Sequence, residues 1–481
     1  RTPRAQRPWH RFSMAPPLIT AFVRPRLAAP LTWGTPIDSL IAVPAETEES
    51  VTSRALFIFG LTYVAYAVLY LARKPVSVVK TTLEAELKMS IAALGRIDAA
   101  LLLAYTAGQL LLGRTVAMLG RTLPLVLAFA LSGASTATFG LASSASSMAT
   151  AWAASGFFAA SANPLMVILI GEVFPASVRA TAIGAWASSQ QLGGIAANLV
   201  SAAVLRSYGW RSVFFVSGAA IAAFAPLLAV ALPLCAPNPA AARPAATASP
   251  PQARAGAAKR RATAGPLAVR GAAAVAGGYT FIKMARYCLM FWLPFFLSKY
   301  CGFSPPAAAS VATAFDVGGA AGNLAAGVLC DRLYGGRMML ASLHLSFATA
   351  AGFLAWAVLC AASVEGSPPV LLHVAAITFI GFCIAGPDGI LGGGASRALV
   401  DYDPRHAGDR TLYAAVSGMV NGCGSIGALL QGLVTSQLVA VVGWAGLFVA
   451  LAAATLATSV VLLPAVAVER KALRREAKGG D

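Results

Sequence analysis

Twelve stretches of roughly 20 mainly apolar residues recur along this chain, and a helix of that length crosses the hydrocarbon core of a bilayer. They fall at about 55–73, 92–113, 123–142, 147–170, 181–204 and 211–234, then at 271–298, 305–329, 338–362, 369–395, 411–435 and 441–465. A soluble domain could not hide so much apolar surface. Of 481 residues 58% are hydrophobic and 11% are charged, and mean hydropathy is +0.72. That composition predicts a polytopic membrane protein. The fold class expected is all-α and integral to the membrane, with twelve transmembrane helices in two pseudo-symmetric six-helix bundles.

The segments between spans divide the chain. Residues 1–54 form a basic tail in which six arginines precede the first acid, Asp38. An N-terminal bundle follows over 55–234, then a basic Pro/Ala-rich linker over 235–270 that contains Lys259-Arg260-Arg261. A C-terminal bundle spans 271–465 and a basic tail 466–481. The leader is rich in Arg and poor in acids, as transit peptides are, but it is also poor in Ser, so the sequence does not say which membrane holds the protein. Lys and Arg concentrate in one set of loops (Arg54, Arg121, the linker, Arg332, Arg397, Arg470), which predicts that both termini and the linker face the cytosol. The net charge of +18 thus points to anionic headgroups and an anionic solute, and not to nucleic acid. Seven scattered cysteines give neither a disulfide framework nor a metal spacing. No nucleophile–base pair or phosphate-cradling glycine loop is visible, so an enzyme is not expected and no cofactor is implied.

The halves echo each other. Tyr66, Tyr70 and Arg73 lie at i, i+4 and i+7, one face of a helix. Tyr279, Lys283 and Arg286 repeat those offsets in the second half. Arg73, with Lys74, closes its apolar run, so it could snorkel to the headgroups, meet a buried counter-charge or bind an anion in a wet cavity. Arg286 is followed by more apolar residues, Tyr287 to Leu297, and cannot easily reach an interface. A glycine-bearing hairpin with arginine, Gly113 to Arg121, recurs as Gly327 to Arg337. Gly209-Trp210 and Gly443-Trp444 each open the last span of a half. Repeats of six spans predict a site between two bundles near mid-membrane.

These residues resemble the major facilitator superfamily, and within it the organophosphate:phosphate antiporter family of sugar-phosphate exchangers and glycerol-3-phosphate permeases. The likeness rests on Ala72-Arg73-Lys74-Pro75-Val76-Ser77-Val78-Val79-Lys80, on Asp98 and Tyr105, and on Lys283 and Arg286-Tyr287 ahead of Trp292-Leu293-Pro294. It continues through Phe315-Asp316-Val317-Gly318-Gly319, Gly386-Pro387 and Asn421-Gly422-Cys423-Gly424. The resemblance implies that Arg73 and Arg286 are paired phosphate-binding arginines and that Tyr66 and Tyr70 are site tyrosines. Positions at which bacterial relatives carry a lysine and a histidine hold Gln109 and Gln190 here. The usual loop aspartate is Ala117, and an expected Gly-Trp-Pro reads Ala162-Asn163-Pro164. These departures leave the substrate open.

The implied function is exchange of a sugar phosphate or glycerol 3-phosphate for inorganic phosphate by alternating access, performed by a monomer in a lipid bilayer. Two guanidiniums offer flat donor forks and the charge that a phosphate monoester needs. Lys283, one turn from Arg286, either ligates phosphate or pairs with an acid, and Lys74 is expected at the cavity mouth or the interface. Asp98, Asp316 and Asp388 are the acids within spans, available to neutralise buried cations or to carry protons. Asp331–Arg332 reads as a loop ion pair, and His373 is given no role. A proton-coupled organic-anion symporter and a sugar-phosphate sensor on a transport fold are the competing readings.

Overall fold

In the computed structural model the structure describes residues 51–112, 119–175, 178–235, 265–362 and 370–479. The N-terminal tail to residue 50, linker residues 236–264 and Ala117 of the first hairpin lie outside them. Among the described residues every regular element is a helix.

The first span opens where Thr52 accepts the Ala55 N–H, an N-cap that satisfies one of the orphan donors of helix α1, Ser53–Val68. A 3-10 turn, Leu69–Ala72, then tightens the chain. Helix α2 restarts at Pro75 and runs to Leu87. The interruption precedes Pro75, which has no N–H to donate back; Arg73 leaves the helical region while Lys74 stays in it. The Tyr70 carbonyl therefore takes the N–H of both Arg73 and Lys74, at 3.0 Å each.

This corrects the expected first span. It does not end at Arg73 but continues through a 35-residue apolar stretch, Ser53–Leu87. At 1.5 Å per residue that is about 50 Å, well beyond the roughly 30 Å of hydrocarbon. Arg73 sits at a break inside this stretch, and its φ of −131° takes it off the continuous helix face that Tyr66 and Tyr70 were expected to share with it.

Helices α3 (Ile91–Leu112) and α4 (Thr122–Phe139) follow. A fourth span is split into α5 (Ala145–Ala159), begun by a Ser144/Ser147 capping box, and α6 (Ala162–Val173). After α7 (Arg179–Ala187), α8 runs from Ser189 to Cys235 but breaks at Gly209, whose φ of 78° a side chain would disfavour. The chain reverses there. Phe214 stacks on Phe139 and Phe224 packs on Phe129, so this segment descends as α4 ascends.

The second half repeats the plan. It comprises α9 (Ala272–Lys299), α10 (Pro305–Arg332), α11 (Met338–Ala362), α12 (Val370–Gly389), a π-turn at Ile390–Gly394 and α13 (Ala395–Asp401). Helix α14 (Arg410–Val461) breaks at Gly443, φ 68°. Before the break Thr435 meets Cys288 of α9; beyond it Phe448 meets Trp356 and Ser459 meets Leu343, again an antiparallel return. The tail is not free of the bundle. Helix α15, Leu463–Gly479, buries Glu469, whose carboxylate accepts the N–H groups of Met339 and Leu340 at the start of α11.

Nine stretches among the described residues are long and apolar enough to cross a membrane. Two of them contain the reversals at Gly209 and Gly443. Helix α10 falls below that hydropathy because Asp316, Asn323 and several glycines interrupt its apolar residues. With these included, the count agrees with six spans in each half.

The halves meet along α8 with α10, α3 with α14, and α2 with α9. Contacts that tie them together gather near the turns at residues 88–90 and 300–304. Glu84 pairs with Lys299 at 2.6 Å, and a Cβ on Gly95 would strike the Gly432 carbonyl. On the linker side Gly184, Gly393, Gly418 and Gly422 look onto open space. The contacts between the halves are thus densest on the side away from the linker.

Candidate functional site

Arg73 projects from the break between the 3-10 turn and α2. Its guanidinium lies over the Tyr105 ring at 4.5 Å and the Tyr70 ring at 5.4 Å. Among the described residues it faces no carboxylate; Tyr287 lies within hydrogen-bonding reach of it, and its buried Nη2 has no hydrogen-bond partner. Aromatic faces attract a cation without neutralising it. The same cavity is lined by Leu101, Leu102 and Gly156 from the first half and by Tyr287 and Phe291 from the second. So the group opens onto the seam between the halves.

Helix α9 supplies the opposing wall. Arg286 Nη1 pairs with Asp388 Oδ2, and Lys283 Nζ lies 3.1 Å from Asp388 Oδ1. Lys283 also sits between the Tyr279 and Tyr287 rings, at 5.2 and 5.3 Å. Tyr279 is buried among α9, α14 and the π-turn, in a slot that exists because Gly392 and Gly424 lack side chains. Asp388 is placed by α12 just before the π-turn, in a stretch already loosened by Pro387.

The remaining expected residues divide. Tyr66 stacks on Trp186 at 4.8 Å and meets Tyr70 edge-on, and the Tyr70 hydroxyl donates to Gln190 Oε1 at 3.0 Å. Tyr70 also lies within electrostatic reach of Lys283, Arg286 and Tyr287 across the seam. Gln109 shares a face of α3 with Tyr105, four residues earlier, but it is exposed and joins none of these contacts.

Asp98 and Asp316 lie outside the arginine cavity, each tied to a lysine. Lys80 Nζ is 2.5 Å from Asp98 Oδ2; it also donates to the Phe291 carbonyl at 2.9 Å and sits 3.8 Å from the Trp292 ring centre. Lys74 pairs with Asp316 at 2.8 Å, with the Asn198 amide at 3.5 Å from the same oxygen.

Three expectations change. Lys74 is not at a mouth or interface but buried between the halves, because Asp316 offers it a carboxylate there. Asp331 and Arg332 are both exposed at the end of α10 and form no ion pair with each other or with another of the described residues. His373, given no role, is buried, accepts the Trp356 indole N–H at 3.1 Å and lies 3.6 Å from Cys301 Sγ. Sequence reasoning also missed Tyr105 as a partner of Arg73.

The sequence profile of the Major Facilitator Superfamily matches residues 62–408. The Arabidopsis thaliana protein named "Putative glycerol-3-phosphate transporter 2" is 28% identical over 454 residues, covering 86% of this chain and 87% of its own. "Sugar phosphate exchanger 3" of Gallus gallus is 31% identical over 171 residues, 35% of this chain and 32% of its own. Among solved structures, that of a D-xylose–proton symporter superposes with a TM-score of 0.66 at 15% identity, covering 86% of this chain and 98% of that one.

Proposed function

This chain belongs to the Major Facilitator Superfamily, and we propose that it exchanges a phosphorylated small metabolite, a sugar phosphate or glycerol 3-phosphate, for inorganic phosphate by alternating access. The observation that carries the reading is the Arg73 guanidinium, with no carboxylate among the described residues and one buried nitrogen unpartnered, beside a cavity at the seam whose α9 side, Tyr287 and Phe291, belongs to the helix that also carries Lys283 and Arg286. Burying an arginine near mid-membrane costs on the order of 3 kcal/mol on insertion scales. An anion bridging Arg73 to Arg286 relieves that penalty and draws the halves together. The names borne by relatives of this chain support the same solute class.

Exchange follows from charge. Without an anion the facing cations repel and oppose closure of the linker side; with one, the halves close over it and the pairs on the far side come under strain. Empty carriers then reorient poorly, so each crossing needs a passenger. Asp98, Asp316 and Asp388 are each held by a cation, which favours exchange over proton symport. The protein works as a monomer with both termini and the linker in the cytosol. Purified chain in liposomes loaded with phosphate is expected to take up labelled glycerol 3-phosphate or glucose 6-phosphate only when phosphate is inside. Uptake that follows a pH gradient and ignores internal phosphate would overturn the reading.

A further inference from the structure

The facing walls carry unequal charge. Arg73 stands alone among aromatic rings, whereas Lys283 and Arg286 share one carboxylate. Asp388 Oδ2 pairs with Arg286, Oδ1 lies 3.1 Å from the Lys283 ammonium without a hydrogen bond to it, and the side chain is 9% exposed. The other nearby ionic groups cancel in pairs, Lys74 with Asp316 and Lys80 with Asp98. Gln109 and Gln190 add no charge. Three cations against one carboxylate leave a net charge of +2 around the cavity.

We propose that Asp388, as a resident counter-anion on the Arg286–Lys283 wall, fixes the cavity at +2 and thereby selects dianionic phosphate esters over esters that bear an additional carboxylate. The inference rests on the proposed organophosphate site and adds a selection rule to it. A phosphate monoester at neutral pH carries nearly two negative charges and brings the cavity close to neutrality. A third negative charge on the solute has no cation left to meet. Moreover, the cations that could receive it are those already paired with Asp388, so the solute's carboxylate would have to displace a buried one. In low dielectric, an unmatched charge and a displaced ion pair are both strongly disfavoured.

Glycerol 3-phosphate and 3-phosphoglycerate test this directly, because they share a three-carbon skeleton and differ by a carboxylate in place of a hydroxymethyl group. The full-length protein is reconstituted at fixed pH, and the two esters compete for exchange against internal phosphate; their binding is read in parallel from the shift in thermal unfolding in detergent. Wild type is expected to favour glycerol 3-phosphate at least tenfold. Asp388→Asn, which raises the cavity to +3, is expected to move that ratio toward 3-phosphoglycerate at least tenfold, whereas Asp388→Glu keeps the wild-type preference. An unchanged ratio in Asp388→Asn overturns the proposal. So does a shift in Asp388→Glu equal to that of the amide, or loss of both esters by a folded Asp388→Asn protein. If the amide variant does not fold, Lys283→Gln lowers the charge to +1 and must move the ratio the opposite way; an unchanged ratio there is equally fatal. A wild type that takes neither ester contradicts the organophosphate reading itself.

Discussion

Lys74 Nζ lies 2.8 Å from Asp316 Oδ2, and this ion pair, with side-chain exposures of 3% and 10%, joins the two halves of the molecule. Two neighbours extend the seam on the same side, Lys80 to the Phe291 carbonyl and Glu84 to Lys299. Opening that side requires these bonds to part. A carrier that alternates must therefore balance them against whatever the bound anion gains at Arg73 and Arg286.

Removing one partner of a buried pair leaves an uncompensated charge and costs about 3–5 kcal/mol, while replacing both by apolar groups is close to neutral. Asp316→Asn is thus expected to favour the form opened at residues 88–90 and 300–304, and Lys74→Met/Asp316→Leu to recover much of the closed form. Cross-linking between Glu84→Cys and Lys299→Cys reads this: its yield drops in the Asp316→Asn background. An undiminished yield would show that the pair does not hold the seam.

Lys80 and Asp98 have no exposed side-chain surface, so their loss is expected to act on folding before transport. Asp98→Asn should lower the thermal unfolding temperature in detergent by an amount equivalent to about 3–5 kcal/mol. A change below 1 kcal/mol would mean that water reaches Lys80 and that the site is less closed than its geometry.

Two glycines separate stability from conformational change. A Cβ on Gly427 would collide with the Thr280 carbonyl within the second half, so Gly427→Ala is expected to destabilise by about 1–3 kcal/mol through overpacking. A Cβ on Gly95 would strike the Gly432 carbonyl and come within 2.9 Å of Ser436 Oγ, across the seam. Gly95→Ala is expected to leave the unfolding temperature nearly unchanged but to reduce the Glu84/Lys299 cross-link. The two variants behaving alike would contradict the division into separately packed halves.

Much of the scaffold was legible because its causes are local. Apolar runs set the spans, and the glycine–tryptophan pairs at Gly209 and Gly443 fall where the chain reverses. Arg73 and Arg286 could be singled out because an arginine in an apolar segment needs a reason. What the sequence hid were pairings across great separations. Nothing near Lys74 announces a partner 242 residues away, and nothing near Asp388 shows that it would hold two cations on α9. The extent of the first span was misjudged for a related reason. Arg73, Lys74 and Lys80 look like the edge of a loop until Asp98 and Asp316 are placed beside the lysines. Tyr105 was hidden because an aromatic ring offers a cation little that a sequence pattern can register.

Counterflow through liposomes containing purified wild type, Arg73→Lys or Arg286→Lys, with phosphate inside and labelled phosphate or glycerol 3-phosphate outside, bears most directly on the proposed pair of guanidiniums. Lysine keeps the charge but loses the planar fork. Both variants are expected to insert and unfold like wild type yet to lose exchange by at least a hundredfold. Normal exchange in either one would remove that arginine from the site.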